Sequence, residues 1–190
     1  MAQNSREYIV LHHSDDPTQG PQFDKVNAYH KSRGFPISSL GYYVGYHYFI
    51  GFNGMMKVAR RETDIGAHCD AKNMNYRGIG ICLAGDFTKN QPNKEQLETL
   101  AALVRDIQIR NNIPDNRVLL HRECKPTTCP AVDLRKLMKE NDTLLAKSKL
   151  LERLEDTYEE YEDAVKPADK SRLKRLIDRI KNLLSSPPFL

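Results

Sequence analysis

The sequence lacks a long hydrophobic run. Its first seven residues, Met-Ala-Gln-Asn-Ser-Arg-Glu, are mostly polar, and the apolar run that follows covers only four residues, Tyr8 to Leu11. A signal peptide needs a hydrophobic region of about 7–15 residues, and a membrane-spanning helix needs about 20. The pattern therefore predicts a protein made in the cytoplasm without a signal peptide and with no membrane span.

Cysteine is also scarce. The chain has four cysteines, at positions 69, 82, 124 and 129. Without a secretory signal, reduced thiols are the default expectation, and a thiol in such a protein is available for metal binding. Cys82 lies in an apolar run and is expected to be buried and inert.

No strongly basic block with interleaved aromatic residues occurs, which argues against a nucleic-acid partner. The formal net charge is +4. From Asp142 onward basic and acidic residues balance at ten each, so the positive excess lies in residues 1–141. This charge suits an anionic polymeric substrate, and it is equally compatible with ordinary solubility charge.

What the chain does have is a set of residues typical of a zinc site. His121 and Cys129 stand eight positions apart across a turn that contains Pro126, and His12 ends a short apolar run. Two imidazoles and one thiolate leave the fourth tetrahedral position open, as in catalytic zinc sites. The pattern indicates metal-assisted hydrolysis. A cysteine hydrolase, with Cys129 as nucleophile and His121 as base, is the alternative.

The order of local patterns predicts an α/β domain with a single mixed β-sheet flanked by helices. Apolar runs bounded by Gly, Asn or Pro predict strands at 8–12, 43–50, 79–83 and 118–121. Asn93 followed by Gln96 predicts the start of an amphipathic helix. A second helix is expected near residues 24–33, ended by Gly34 and Pro36.

Four strings in register resemble one family. They are Gly45-Tyr46-His47 through Gly54, Gly66-Ala67-His68, Asn75 through Gly85, and His121 through Cys129. Over residues 6–139 the chain resembles the type 2 N-acetylmuramoyl-L-alanine amidases, which include bacteriophage lysozyme-amidases and animal peptidoglycan recognition proteins.

The resemblance implies a zinc-dependent amidase that cuts the amide between N-acetylmuramic acid and L-alanine in peptidoglycan, as an endolysin does. His12, His121 and Cys129 would hold Zn²⁺, and Tyr46 and Thr127 would lie beside the metal-bound water. His68 and Asn75 are candidate contacts to the substrate, although each has a structural alternative as a turn residue. Many relatives carry Asp where this chain has Cys129 and Lys where it has Thr127.

The same resemblance leaves the biological setting open. Peptidoglycan, as a muramyl peptide, is the expected partner, reached after release or export from the cell that makes the protein. A phage endolysin, an injected toxin and a recycling enzyme all fit the sequence. A recognition module that binds muropeptide in the same groove without cutting it is the alternative function.

The C-terminal part has a different character and predicts a helical hairpin over residues 142–190, after an amidase domain at 1–141. Apolar residues recur every seven positions, at Leu137, Leu144, Leu151, Tyr158 and Val165. Pro167 then interrupts this pattern. The first arm is acidic and the second is basic, so an antiparallel pair would bring opposite charges together. This hairpin could serve wall targeting, self-association or packing on the domain.

A chain that ends at Asn141 tests these roles, because no proposed site residue lies beyond Cys129. We expect it to retain zinc and to cleave soluble muropeptides within about twofold of the full chain. A targeting role predicts that only lysis of intact walls is lost. A packing role predicts aggregation or a large drop in melting temperature from the exposed apolar faces. A folded, zinc-loaded but inactive product would contradict both.

Overall fold

The computed structural model describes residues 6–146, together with residues 148 and 178. Most of the predicted hairpin at 142–190 lies outside these residues. No helix in the described part of the chain is long and apolar enough to cross a membrane. The strands are β1 (Tyr8–His13), β2 (Tyr48–Ile50), β3 (Met56–Val58), β4 (Gly78–Leu83) and β5 (Val118–Leu120). The helices are α1 (Phe23–Ser32), α2 (Met74–Arg77), α3 (Lys94–Asn111), α4 (His121–Cys124) and α5 (134–146).

The five strands form one mixed sheet in the order β3-β2-β4-β1-β5. Strand β1 pairs in parallel with both β4 and β5, β4 pairs in parallel with β2, and only β3 is antiparallel. The predicted α/β fold with a single mixed sheet is therefore confirmed. The carboxyl ends of four parallel strands meet at one edge of this sheet, which is the usual place for a site in such folds.

The two faces of the sheet pack against different side-chain clusters. Alternate residues of β1 and β4, such as Ile9, Leu11 and Ile81, pack against Leu100 and Val104 of α3 in the main core. The intervening residues, including Val10 and Cys82, belong to clusters on the other face. Since side chains alternate along a strand, His12 shares the second face with Val10, and His13 lies on the α3 face.

The two predicted helices are confirmed, and α3 shows why the pattern was informative. The Asn93 side chain accepts a hydrogen bond from the Gln96 backbone N–H, and the Gln96 side chain accepts one from the Asn93 backbone N–H. This reciprocal cap satisfies donors at the helix start. The sequence patterns placed the other helix at about 24–33, and α1 covers Phe23–Ser32.

The strand prediction at 43–50 was too long, because β2 begins only at Tyr48. The backbone N–H groups of Tyr43 and Gly45 donate to side chains of α1, Asn27 Oδ1 at 2.7 Å and His30 Nδ1 at 3.0 Å. These bonds hold the segment against α1, so its N–H groups do not pair with a neighbouring strand. Strand pairing begins after it, at β2.

Two further differences lie at strand ends. His121 was predicted to end a strand but begins α4, where the Glu123 carboxylate accepts a hydrogen bond from the Leu120 backbone N–H at 2.8 Å. The sequence patterns also missed β3, an edge strand whose three residues are all exposed. Such a strand has no alternation of buried and exposed residues to reveal it.

Gly80 has a steric role in the centre of β4. A Cβ atom on Gly80 would lie 2.6 Å from Cγ and Cδ2 of the His68 ring, which is buried. Contacts this short force neighbouring groups to shift. A hydrogen at this position therefore lets the His68 ring pack against the sheet.

We expect Gly80→Ala to lower the free energy of unfolding by about 1–3 kcal/mol, the usual cost of overpacking. Gly20→Ala is the matched control, since a Cβ there meets no atom within 4 Å, and it should change stability by less than about 1 kcal/mol. Urea denaturation of both variants measures the difference. Equal stabilities would show that the His68 ring does not need this space.

Candidate metal centre

The three predicted metal ligands converge at the carboxyl edge of the sheet. One potential ligand atom from each of His12, His121 and Cys129 lies within 4.8 Å of the other two. His12 Nδ1 is 3.8 Å from Cys129 Sγ, and the rings of His12 and His121 have centroids 4.4 Å apart. Bonds of about 2.0–2.1 Å to nitrogen and 2.3 Å to sulfur put two nitrogen ligands and one sulfur ligand about 3.3–3.6 Å apart in a tetrahedral site. The separation of His12 Nδ1 from Cys129 Sγ is therefore close to that of two zinc ligands.

The loop from His121 to Cys129, which carries two of the candidate ligands, is closed by hydrogen bonds between its two ends. The Arg122 backbone N–H donates to the Cys129 carbonyl at 2.7 Å, and the Arg122 guanidinium donates to the carbonyls of Pro130 and Val132. These bonds hold the end of the loop beside its beginning. His121 and Cys129 are thus brought together although eight residues separate them.

The electrostatics of the three groups suit a cation. Burial lowers the pKa of His12 well below its usual value and lowers the pKa of His121 to about 4, so both imidazoles are neutral at pH 7. Burial also raises the pKa of the Cys129 thiol to about 12. His121 Nε2 is buried without a hydrogen-bond partner. Neutral imidazoles with a free lone pair and a thiol that needs a counter-charge are the donors that zinc prefers.

The backbone supplies further support for a thiolate. The His13 backbone N–H points at Cys129 Sγ with a separation of 3.4 Å. An amide donor favours the charged form of a thiol and orients its sulfur.

Tyr46 lies beside this centre. Its ring is 5.0 Å from the His12 ring, and burial, followed by the neighbouring thiols of Cys82 and Cys129, raises the pKa of the phenol well above its usual value. The hydroxyl therefore remains protonated at neutral pH and can donate a hydrogen bond. The bend at residues 43–47, which replaced the predicted strand, sets the position of this ring.

Thr127 is exposed in the loop between His121 and Cys129. Its Oγ1 accepts a hydrogen bond from the Cys129 backbone N–H at 3.3 Å. Because that bond uses a lone pair of the hydroxyl, the hydroxyl hydrogen stays available to a ligand in front of the loop.

The other two predicted residues, His68 and Asn75, form one structural unit. Asn75 Oδ1 accepts hydrogen bonds from the backbone N–H groups of His68 and Cys69, both at 2.8 Å. His68 is 8% exposed, and its Nδ1 lies 3.1 Å from His12 Nε2. Asn75 thus orders the segment that carries His68, and His68 contacts His12, one of the candidate metal ligands. No local sequence pattern could predict this contact, because it joins residues 56 positions apart.

A second group of possible ligand atoms, from His13, Asp15 and Asp86, also falls within 4.8 Å. Two of its three members, His13 and Asp86, already have hydrogen-bond partners. His13 Nδ1 accepts from the Phe87 backbone N–H at 3.0 Å, which leaves the hydrogen of a neutral ring on Nε2. Asp86 accepts from Thr88 and pairs with Lys89. This group therefore organises the turn after β4.

Comparison with known proteins agrees with this geometry. The family model described as N-acetylmuramoyl-L-alanine amidase matches residues 2–132. The endolysin of Escherichia phage T7 is 30% identical over 145 residues, which cover 73% of this chain and 89% of that protein. Peptidoglycan-recognition protein SC2 of Drosophila melanogaster is 30% identical over 139 residues, covering 69% of this chain and 71% of the relative.

Solved structures show the same likeness. The N-acetylmuramoyl-L-alanine amidase LysC from Clostridium intestinale superposes with a TM-score of 0.57 at 32% identity, covering 68% of this chain and 79% of that one. Wild-type Drosophila PGRP-LB superposes with a TM-score of 0.55 at 27% identity, covering 66% and 74%. The range matched by the family model, residues 2–132, includes every strand of the sheet and the three candidate ligands His12, His121 and Cys129. The chain therefore belongs to the N-acetylmuramoyl-L-alanine amidase family.

Proposed function

We propose that this protein is a zinc-dependent N-acetylmuramoyl-L-alanine amidase that hydrolyses the amide between N-acetylmuramic acid and L-alanine in peptidoglycan. The observation that carries the proposal is the convergence of His12, His121 and Cys129 within 4.8 Å. Three protein ligands leave the fourth tetrahedral position for water or substrate, which distinguishes a catalytic zinc from a structural one. A zinc ion held there would supply Lewis acidity and a hydroxide nucleophile at neutral pH.

The residues around this centre have separate roles. His12 and His121 stay neutral because burial lowers their pKa values, so they can bind a metal at neutral pH. We assign to the Tyr46 phenol, kept protonated by burial, the role of donor to the oxyanion that develops on the scissile carbonyl, and the raised pKa of this phenol supports that assignment. Thr127 offers a second hydroxyl from the opposite loop. One such donor contributes about 3 kcal/mol to transition-state stabilisation where this has been tested.

The alternative cysteine hydrolase fits the site less well. A cysteine nucleophile is activated by a lowered pKa of its thiol, or by an adjacent base whose pKa is high enough to accept the thiol proton. Here burial raises the pKa of Cys129 to about 12 and lowers the pKa of His121 to about 4, so a thiolate–imidazolium pair is disfavoured. A metal ion suits both groups, because it stabilises the Cys129 thiolate directly and binds neutral imidazoles.

The biological role that we propose is degradation of cell walls, as by an endolysin. The alignment to the phage T7 endolysin covers 89% of that protein, and residues 1–141 carry a positive excess that suits an anionic wall polymer. A non-hydrolytic recognition module is the second candidate, because relatives of this chain include peptidoglycan-recognition proteins. Mass spectrometry of muropeptides after digestion separates the two functions, since only the amidase releases free stem peptide.

Zinc content provides the first test. The purified protein should carry about one zinc per chain, measured by elemental analysis, and a chelator should abolish activity. Cys129→Ser should lose both zinc and activity, because a serine hydroxyl is a poor ligand at neutral pH. Cys124→Ser is the control, since Cys124 is buried in a cluster with Val10, Cys69 and Met74. Full activity without metal would refute the proposal, and zinc loss only in the control would relocate the site.

Tyr46→Phe tests the oxyanion donor, because it removes one hydroxyl and keeps the ring. Turnover of a soluble muropeptide should fall about 10²-fold or more, while zinc content and melting temperature stay unchanged. Tyr8→Phe is a matched control at the opposite end of β1 and should leave turnover unchanged. Thr127→Val should show a smaller loss than Tyr46→Phe. Wild-type turnover in the Tyr46 variant would assign that residue to packing alone.

A further inference from the structure

The two ring nitrogens of His12 face different neighbours. Nδ1 lies 3.8 Å from Cys129 Sγ, on the side where the three possible ligands converge, and Nε2 lies 3.1 Å from His68 Nδ1. A neutral imidazole carries one N–H and one lone pair. If the Nδ1 lone pair binds zinc, the hydrogen must be on Nε2. His12 then donates that hydrogen to His68 Nδ1.

The His68 ring is held where this bond needs it. Cβ atoms on Gly66 and Gly80 would each come within 2.6 Å of His68 ring carbons, so the absence of side chains at both positions makes the space for the ring. The His68 backbone N–H is fixed by Asn75 Oδ1. The ring meets His12 edge-on, with an interplanar angle of 82° and centroids 5.1 Å apart. Backbone and packing thus both fix the direction of Nδ1.

Histidine ligands of metals usually donate their second N–H to a carboxylate, a carbonyl or water, and loss of that partner costs about 10- to 100-fold in metal affinity. Here the partner is a second imidazole. We propose that His68 is a positioning residue of the metal centre, which accepts the Nε2 hydrogen of His12 and thereby holds the His12 tautomer with Nδ1 free to bind zinc. This role rests on the proposed zinc function and differs from the substrate contact that the sequence suggested.

Two substitutions in the full-length chain separate this role from simple packing. His68→Leu fills the space but removes the acceptor. His68→Asn retains an acceptor, because Oδ1 of asparagine occupies nearly the position of Nδ1 of histidine. Zinc affinity, measured by competition with a chromogenic chelator, should fall about 10- to 100-fold in His68→Leu and by less than about fivefold in His68→Asn. Equal affinities in the two variants, whether high or low, would overturn the proposal.

The wild-type protein provides a test that does not depend on the folding of a variant. Long-range ¹H–¹⁵N correlation spectra of the zinc-loaded protein report which nitrogen of each imidazole is protonated. We expect the hydrogens of both His12 and His68 on Nε2, with His68 Nδ1 unprotonated. A proton on His68 Nδ1 would overturn the proposal. A wild-type protein that binds no zinc would refute the proposed function, whereas tight binding in every variant would refute only the role of His68.

Discussion

The parallel pairing of β1 with β5 is the constraint on which the candidate metal centre depends. In this pairing Leu11 lies opposite Leu120, so the next positions along the two strands are His12 and His121. The chain turns into α4 at that point, which keeps the His121 ring near the His12 ring, with centroids 4.4 Å apart. A shift of one residue in this register would move His12 to the α3 face of the sheet, because the side-chain period of a strand is two. The register of two short strands therefore determines whether the candidate ligands His12 and His121 meet.

The alternation of side chains also explains how one sheet supports both a core and a site. The α3 face is lined by large aliphatic residues, and their burial supplies most of the stability. The other face carries the imidazoles of His12, His47 and His68, whose burial costs free energy unless hydrogen bonds satisfy them. His47 Nδ1 accepts from the Gly80 backbone N–H at 3.0 Å, and His68 lies 3.1 Å from His12. Hydrogen bonds thus satisfy part of this face, whereas His68 Nε2 is buried without a hydrogen-bond partner among the described residues.

Much of this arrangement could be predicted from the sequence, and the rest could not for identifiable reasons. The strands β1 and β4 and the helices α1 and α3 have clear periodicity or caps, so their patterns were sufficient. The bend at residues 43–47 was missed because it depends on Asn27 and His30, which are distant in sequence. The side chains of these two residues accept hydrogen bonds from backbone N–H groups of the bend. The candidate ligands were found from the spacing of His121 and Cys129 together with the family motifs, since a lone histidine at a strand end such as His12 has no distinctive pattern. The contact between His12 and His68 depends on tertiary packing alone.

The loops that bear these groups are fastened to each other as well as to the sheet. Lys125 Nζ pairs with Asp70 at 2.7 Å, and Lys72 Nζ donates to the Glu123 carbonyl at 2.9 Å. The thiols of Cys69 and Cys124 meet in the same buried cluster. These contacts connect the segment after His68 with the segment between His121 and Cys129. Because His68 contacts His12, a displacement of either loop would disturb both the candidate ligands and the residue that we propose to orient one of them. The two loops thus support each other, and such mutual support would favour a metal site whose ligands are in place before an ion binds.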